Sequence, residues 1–364
     1  MKPVARVLLL VVVLVLVVAL AAAAFVWSRQ REARLAAEQE AAQAAAVEAS
    51  LKESAPPEPV PPPRPPGLDN YRQLGLALPP HLESLLRLAR PGQQVAGILV
   101  APKRETILWA HRDQEVTPIA SMTKMMTLLL AMETLAQRSD LTLQSPVRIS
   151  HNAAHMGGSE VWLAAGSEYT LEALLQATAV KSANDAAYAV AEAVAPQQDV
   201  AKFIVLMNRR ARQLGLTQAR FYNVNGLPGH SPTTENRATC RDMVVLAMAL
   251  QKYDTVTNWS RIPMLRFAHN NGKVIEMHNS NRDLLLHCPG VTGLKTGFTE
   301  AAGFCVTATC EREGEPLIAV VTGFGRKEDR FAFVSKLFDW GYQQPAQAAP
   351  PPDVPPVAGP PPPP

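Results

Sequence analysis

Strand-like runs lie at both ends of the segment from residue 67 to residue 343, and helical periodicity fills the chain between them. Near its start, a hairpin pattern covers Gln94 to Ala101 and Thr106 to His111. Near its end, further runs joined by a Glu313-Gly314 turn cover Val291 to Lys295, Gly303 to Glu311 and Pro316 to Thr322. This arrangement predicts an α/β fold of the α+β kind, with one antiparallel sheet built from both chain ends and helices packed on it.

The helical part of this segment is defined by apolar residues that recur with the helical period. The predicted helices are Ser121 to Gln137, Leu171 to Val180, Asp185 to Val194, Val200 to Leu214, Thr239 to Leu250 and, after the last strand, Lys327 to Trp340. Apolar residues make up 47% of the 364-residue chain, which is enough for a sizeable core.

Charge and cysteine content exclude some classes of protein. The formal net charge is only +3, and no run of Lys or Arg is interleaved with aromatic residues, so nucleic acid is not an expected partner. Cys240, Cys288, Cys305 and Cys310 include no C-x-x-C pair, which favours buried free thiols; one disulfide stays open if the domain is exported. Cys305 and Cys310, five apart in a strand-like run, should point to opposite faces.

The two ends of the chain differ from its middle. Residues 7–27 are apolar without interruption, follow Lys2 and Arg6, and are long enough to span a bilayer as a helix. We expect residues 1–27 to be a retained membrane anchor, with a cleaved signal segment as the alternative, because signal peptides usually have a shorter apolar core. Residues 28–66 predict a helical and Pro-rich spacer, and residues 344–364 predict a disordered Pro-rich tail.

Ser121 and Lys124 stand at the predicted start of a helix, after Pro118 and before an apolar helical run. Three residues apart, they lie on one face of the first turn. A helix N-terminus favours developing negative charge, and a lysine held there beside other cations loses its proton more easily than in water. The pair predicts a serine nucleophile with a lysine base, although an N-cap serine beside an exposed lysine would give the same pattern.

Two further motifs follow along the chain. Ser182-Ala183-Asn184 separates two predicted helices, so it should lie on a turn from which side chains reach a cleft, unless it is only a helix N-cap. Lys295-Thr296-Gly297 ends a predicted strand, where a glycine lets a substrate backbone approach closely. A plain strand end with a solvated lysine is the simpler alternative.

The order and context of the three motifs decide between these alternatives. They lie 61 and 113 residues apart, each in the expected place at a helix start, an inter-helix turn or a strand. S-x-x-K, S-D-N and K-T-G together are the signature of penicillin-binding proteins and class A β-lactamases. Chance occurrence of all three in order is improbable, so the sequence predicts acyl transfer through a serine.

From about Gln94 to Tyr342 the chain resembles the low-molecular-mass D-Ala-D-Ala carboxypeptidases, serine peptidase family S11. The matching stretches are Ile119 to Thr127, Ser182 to Ala187, Gly226-Leu227-Pro228, Gly290 to Thr299, and Arg330 followed ten residues later by Trp340-Gly341. The resemblance implies the penicillin-binding/β-lactamase-like transpeptidase fold with a helical subdomain. It also implies a penicillin-sensitive D-alanyl-D-alanine carboxypeptidase that uses no metal and no cofactor, acts on peptidoglycan stem peptides, and binds β-lactams as covalent inhibitors.

The same resemblance implies roles for the catalytic residues. Ser121 would be acylated, Lys124 would accept its proton, and Ser182 would relay a proton. The backbone N–H groups of Ser121 and Phe298 would form the oxyanion hole, which leaves the Phe298 side chain free to vary.

For the substrate-binding residues, the resemblance implies that Asn184 contacts the substrate peptide. Lys295 and Thr296 would bind its terminal carboxylate with support from Arg330, and Gly297 would let its backbone approach. Since peptidoglycan lies outside the cytoplasmic membrane, we expect an extracytoplasmic, periplasmic location, with residues 7–27 as the anchor in that membrane.

The departures from the family pattern bear on the competing functions. The second motif reads S-A-N and no E-x-x-L-N follows it, which disfavours a class A β-lactamase with its deacylating glutamate. The Pro-rich stretch after Trp340 is too short for the extra β domain and C-terminal anchor of many relatives, so the N-terminal segment is expected to replace that anchor. Endopeptidase activity on a D-Ala-meso-diaminopimelate bond stays open, whereas three intact motifs disfavour an inactive peptidoglycan-binding scaffold.

The remaining histidines and tryptophans suggest no second site. His151 and His155 have the spacing of zinc ligands on a helix, but Asn152 stands where a zinc peptidase needs a glutamate. The nine-residue spacing shared by three further histidines matches no metal-site pattern: His269, His278 and His287. Core or cleft-wall positions are expected for Trp109, Trp162 and Trp340.

Overall fold

The computed structural model describes residues 67–344 except His230, together with Ala22, Phe25–Arg31, Arg34, Glu38, Ala42 and Ala45. The described residues between 22 and 45 are helical. Across these parts of the chain, no helix is both long enough and apolar enough to cross a membrane. Most of the predicted anchor at residues 7–27, most of the spacer, and the tail from residue 345 onward lie outside the described residues, so these three segments remain predictions.

The main sheet joins the two ends of the described domain. The strands are β1 (Arg72–Gln73), β2 (Ala96–Ala101), β3 (Thr106–His111), β4 (Thr117–Pro118), β5 (Pro146–Arg148), β6 (Glu168–Thr170), β7 (Arg237–Ala238), β8 (Met264–Ala268), β9 (Val274–His278), β10 (Val291–Thr299), β11 (Gly303–Arg312) and β12 (Glu315–Phe324). The sheet order is β1-β3-β2-β12-β11-β10, and its pairs are antiparallel except β1 with β3. The β2–β12 pair confirms the predicted assembly from both chain ends.

Apart from the short helix Pro80–Glu83, which precedes β2, the helices lie between β3 and β10 and after β12. The α-helices are Pro80–Glu83, Lys124–Gln137, His151–Ala154, Leu171–Val180, Asn184–Val194, Val200–Leu214, Cys240–Leu250, Asp254–Ser260, Arg282–His287 and Lys327–Tyr342. Side-chain caps begin three of the predicted helices near their expected positions: Thr170 accepts from the N–H of Ala173, Asp199 from that of Ala201, and Thr239 from that of Asp242.

The main sheet separates two hydrophobic cores, because successive strand residues point to opposite faces. In β2, Ile98 and Val100 face the core that contains the central helices, whereas Leu99 and Ala101 face the core under the closing helix Lys327–Tyr342. Every residue of β2 is buried, so the strand is apolar throughout instead of alternating. The sheet is therefore the middle layer of the domain, and the Ala120–Thr123 turn and the helix Cys240–Leu250 pack against it.

Two local predictions about the motifs are wrong. Ala120–Thr123 forms a 3-10 turn, and the α-helix begins at Lys124, so Ser121 is not in the α-helix itself. The third motif does not end a strand, because β10 continues to Thr299 and Gly297 pairs with Cys305 in β11. The β8–β9 hairpin was not predicted, since its mostly exposed residues lack a clear apolar alternation.

Cysteine and tryptophan positions follow from the two cores. All four cysteines are buried free thiols, and Cys305 and Cys310 lie in different cores, which confirms that they point to opposite faces of β11. Trp109 and Trp340 are buried as predicted. Trp162 is 62% exposed, so the predicted core position is wrong for this residue. Its alternative position in the wall of the cleft remains a prediction.

Candidate active site

The 3-10 turn Ala120–Thr123 presents the predicted nucleophile. In this tighter helix the side chains at i and i+3 eclipse each other, and Lys124 Nζ lies 3.0 Å from Ser121 Oγ. Ala120, directly before the serine, has φ 45°, in the left-handed region that non-glycine residues rarely adopt. The chain thus turns sharply at the nucleophile and brings the predicted base directly against it.

Lys124 is buried and surrounded by acceptors. Besides Ser121, its Nζ donates to Asn184 Oδ1 and to the carbonyl oxygen of Asn225, both at 2.6 Å. Burial first, and then the positive charge of Lys295, hold the pKa of Lys124 well below its ordinary value. A neutral amine has two N–H bonds and one lone pair. If the two short contacts take the N–H bonds, the lone pair faces Ser121 Oγ, as a general base requires.

Asn184 joins the second motif to the first. Its Oδ1 accepts from Lys124, and its Nδ2 donates to the carbonyl oxygen of Gly157 at 2.8 Å. Both ends of the amide are therefore bound within the protein, which makes Asn184 a positioning partner of the lysine. Its predicted contact with a substrate peptide remains a prediction.

The loop from Tyr222 to Leu227 supplies an acceptor that the sequence analysis missed. It presents the Asn225 carbonyl to Lys124, and Thr127 Oγ1 anchors it through the Val224 carbonyl at 2.6 Å. Gly226 has φ 81°, and a Cβ there would overlap the carbonyl oxygen of Ala120. The Asn-Gly dipeptide is a turn signal in the sequence, but it does not reveal that a backbone carbonyl acts in the site.

Asn236 holds this loop against the nucleophile turn, and it too was missed. Its Oδ1 accepts from the N–H groups of Tyr222 and Asn223 at 2.7 and 3.2 Å. Its Nδ2 lies 2.9 Å from Thr123 Oγ1, and its backbone carbonyl accepts from the N–H of Ile119. A buried asparagine in an irregular segment carries no local signal, so only the structure identifies it.

Lys295 joins the third motif to the second. Its Nζ donates to Ser182 Oγ at 2.7 Å and to the carbonyl oxygen of Thr296 at 3.0 Å. Burial lowers the pKa of Lys295 to about 7, and the charge of Arg330 acts in the same direction. Ser182 has φ 65°, again in the left-handed region, so both serines of the site lie at sharp turns of the backbone.

Strand β10 passes directly beside the nucleophile turn. A Cβ at Gly297 would meet the carbonyl oxygen of Ile119 at 2.9 Å and the Cβ of Ala120 at 3.1 Å, so only a glycine permits this approach. The next residue, Phe298, is 42% exposed, and its ring stacks on Phe304 at 4.2 Å between centroids. The two backbone segments predicted to form the oxyanion hole are thus neighbours.

Arg330 lies buried behind this strand pair. Its Nη1 donates to the carbonyl oxygen of Cys305 at 3.2 Å, and Cys305 pairs with Gly297 across β10 and β11. The guanidinium therefore supports the third motif from behind the sheet and adds positive charge near Lys295. Thr296 is buried on the same strand.

Together these contacts bring the predicted site residues into one cluster. A serine hydroxyl faces a buried lysine of lowered pKa, and a second buried lysine stands one hydrogen bond from Ser182. The first pair can deprotonate and activate a nucleophile, and the second lysine can attract an anion. Among the described residues, no group of three or more His, Cys, Asp or Glu side chains is placed to hold a metal ion.

Comparison with known proteins relates the region that contains the three motifs to one family. The family model for peptidase S11, D-alanyl-D-alanine carboxypeptidase, matches residues 93–325. DacF, a D-alanyl-D-alanine carboxypeptidase of Bacillus subtilis, is 34% identical over 251 residues, which are 68% of this chain and 62% of DacF. A D-alanyl-D-alanine endopeptidase of Pseudomonas aeruginosa is 29% identical over 64% of this chain and 72% of its own.

A solved structure agrees with the fold. Penicillin-binding protein D2 of Listeria monocytogenes, in its ampicillin-bound form, has a TM-score of 0.57 and 27% identity, covering 68% of this chain and 96% of its own. The chain spans less than two thirds of the length of DacF. The matched region nevertheless contains all three motifs and most of the described domain. The chain therefore belongs to the peptidase S11 family of D-alanyl-D-alanine carboxypeptidases.

Proposed function

We propose that this protein is a serine-type D-alanyl-D-alanine carboxypeptidase that removes the terminal D-Ala from peptidoglycan stem peptides through an acyl-enzyme. The observation that carries the proposal is the 3.0 Å contact between Lys124 Nζ and Ser121 Oγ, with the lysine buried and its pKa lowered. An ordinary helix N-cap would leave this lysine in solvent, so the simpler interpretation of the motif does not explain its burial.

In the acylation step, Ser121 Oγ attacks the carbonyl carbon of the penultimate D-Ala and its proton passes to Lys124. The oxyanion accepts hydrogen bonds from the N–H groups of Ser121 and Phe298. Collapse of this intermediate breaks the C–N bond, and the departing D-Ala nitrogen receives the proton from Lys124, with Ser182 as the relay. Water then hydrolyses the ester, with Lys124 again taking and returning one proton, and the free serine is restored.

Lys295 and Thr296 bind the terminal carboxylate of the substrate. With a pKa of about 7, the free Lys295 is partly neutral at physiological pH. An arriving carboxylate stabilises the ammonium form and raises that pKa. A ligand without this carboxylate gains no such stabilisation, which favours cleavage where the leaving group carries a free carboxylate.

β-Lactams present a carboxylate and a reactive carbonyl to the same residues, and a structurally similar protein has been solved with ampicillin bound. D-Ala leaves the cleft after acylation and makes room for water, whereas the opened β-lactam keeps its leaving group tethered. We therefore expect rapid deacylation with peptide and a penicilloyl-enzyme that persists for minutes or longer.

The test combines labelling with turnover. The wild-type protein should take up a fluorescent penicillin, show the matching mass increase on Ser121, and release D-Ala from a pentapeptide. Ser121→Ala should abolish labelling while circular dichroism stays unchanged. Rapid penicillin turnover without D-Ala release from any peptide would reject the peptidase and favour a β-lactamase.

Endopeptidase activity is the second candidate, because a relative of 29% identity is named a D-alanyl-D-alanine endopeptidase. Both reactions form the same acyl-enzyme and differ in what the leaving group carries. Digestion of defined cross-linked and uncross-linked muropeptides separates them: loss of dimers indicates an endopeptidase, and loss of terminal D-Ala from monomers indicates a carboxypeptidase.

We also propose that the catalytic domain works in the periplasm, outside the cytoplasmic membrane, with residues 7–27 as its membrane anchor. The uninterrupted apolar run and the location of peptidoglycan support this proposal. The full-length protein should sediment with membranes, and deleting residues 1–27 should release an active soluble domain. A C-terminal reporter that is active only in the cytoplasm would contradict it.

A further inference from the structure

The segment Met156–Leu163 borders the active site and has no part in the mechanism above. Met156 Sδ accepts from Asn225 Nδ2 at 3.5 Å, and the Gly157 carbonyl accepts from Asn184 Nδ2 at 2.8 Å. Further along, the carbonyl oxygen of Ser159 accepts from the N–H of Asn184 at 2.6 Å. This segment therefore lies against both residues that hold Lys124.

A buried carboxylate fixes the end of this segment. The N–H groups of Val161 and Leu163 both donate to Asp185, at distances of 3.1 to 3.2 Å. Burial raises the pKa of Asp185, while these backbone hydrogen bonds oppose the rise. The carboxylate therefore holds the backbone on both sides of Trp162.

The residue held in this way is an exposed tryptophan. Val161 and Leu163 are buried, whereas Trp162 between them is 62% exposed and has φ 56°, a conformation that bulky residues rarely adopt. An unused surface side chain would need neither the left-handed backbone nor two anchoring hydrogen bonds. The arrangement keeps an indole ring outside the core, on a segment whose backbone contacts Asn184.

A carboxylate stands two residues before this tryptophan in the sequence. Glu160 is partly exposed, and its Oε1 accepts from the N–H of Gly157 at 2.7 Å, which restricts its side chain to the same border of the site. An indole face attracts methylene groups and cations, and a carboxylate beside it attracts an ammonium group. An aliphatic chain that ends in an amine satisfies both groups.

We infer that Trp162 and Glu160 form a subsite for a diamino acid side chain, in the residue that precedes D-Ala-D-Ala in the substrate; this rests on the proposed function. Lys295 fixes the terminal carboxylate at β10, so the rest of the stem peptide must leave along another border of the cleft. The Met156–Leu163 segment, in contact with Asn184, provides that border.

The experiment compares three ligands on the full-length protein. The first peptide, Nα-acetyl-L-Lys-D-Ala-D-Ala, carries the amine; the second, Nα-acetyl-L-Ala-D-Ala-D-Ala, lacks it; and 6-aminopenicillanic acid lacks any acyl side chain. Trp162→Ala should lower kcat/KM for the first peptide by about 3- to 30-fold, mainly through KM, because a cation–π contact of this kind is lost. The second peptide and the acylation of Ser121 by 6-aminopenicillanic acid should change less than about twofold.

Three matched variants separate recognition from packing. Trp162→Phe keeps an aromatic face and should retain most of the activity on the lysine peptide. Glu160→Gln keeps the acceptor for Gly157, but it should lower kcat/KM for the lysine peptide and leave that for the alanine peptide unchanged. Leu286→Ala removes another exposed apolar side chain and should change none of the three reactions.

Equal losses with all three ligands in Trp162→Ala would mean a structural role and overturn the subsite. Unchanged kinetics on the lysine peptide would overturn it as well, while leaving the proposed function intact. If the wild-type protein acylates with 6-aminopenicillanic acid but releases D-Ala from neither peptide, the carboxypeptidase proposal fails and the subsite fails with it.

Discussion

Removing the Asn184 side chain tests the arrangement around Lys124. In Asn184→Ala, Lys124 Nζ loses an acceptor at 2.6 Å inside a buried site, where water cannot fully replace it. The amide oxygen stabilises the ammonium form of the lysine more than the neutral amine. Its loss should therefore lower the pKa of Lys124 further, although burial already holds it well below normal.

The size of the effect follows from the hydrogen bond that is lost. A hydrogen bond to a charged group contributes about 1.5–3 kcal/mol, equivalent to about one to two pKa units or a 10- to 150-fold change in rate. Acylation needs neutral Lys124, so its rate rises with pH through the pKa of this residue. Asn184→Ala should move that acidic limb to lower pH, and the plateau should fall because the lone pair is no longer directed at Ser121.

The assay is the second-order rate of acylation by a fluorescent penicillin, measured across pH in buffers of constant ionic strength. Asn184→Asp is the matched control: its negative charge stabilises the ammonium form, so the acidic limb should move to higher pH. If both variants moved the limb in the same direction, or if Asn184→Ala left the plateau unchanged, Lys124 would not be the base held by this amide.

Further variants test other parts of the site. Gly226→Ala should destabilise the fold by at least about 1–2 kcal/mol, because it places a side chain in the left-handed region and against the Ala120 carbonyl. Chemical denaturation should show the lower stability, and penicillin labelling should be weaker. Asn236→Leu leaves buried N–H groups of the Tyr222–Leu227 loop unpaired and should cost about 3 kcal/mol, whereas Asn236→Asp keeps the acceptor and should cost less. For the peptide substrate, kcat/KM should fall as pH rises above about 7, because neutral Lys295 no longer attracts the carboxylate; a substrate amidated at its C-terminus should show no such fall. Lys295→Ala should weaken acylation by peptide and penicillin alike, and Thr296→Ala should do so more mildly.

Local sequence was sufficient for the architecture of the domain. Apolar runs with helical or strand periodicity located the main helices within a few residues, and strands at both ends of the segment predicted the sheet that β2 and β12 join. Periodicity is informative there because these elements are long and bury a continuous face. Periodicity did not predict the β8–β9 hairpin, because most residues of these two strands are exposed and the strands bury little apolar surface.

The three motifs also predicted which side chains carry the chemistry. Ser121, Lys124, Ser182 and Lys295 were identified by residue type and spacing, because the reaction needs a nucleophile, a base and a cation, and the motif signature places them in one order along the chain. The sequence analysis placed the third motif at the end of a strand, whereas β10 continues past Gly297 to Thr299 and pairs there with β11, the next strand along the chain.

Only the tertiary structure shows what sets the pKa values and the orientation of these groups. The acceptors around Lys124 come from segments 60 and 101 residues away, and one of them is a backbone carbonyl that any residue type could supply. Asn236 and Asp185 act through backbone N–H groups, which are present at nearly every position and so leave no signature in a sequence. Sequence determines which functional groups are available, whereas burial and long-range contacts set their pKa values and orientation, because both depend on what the fold packs around them.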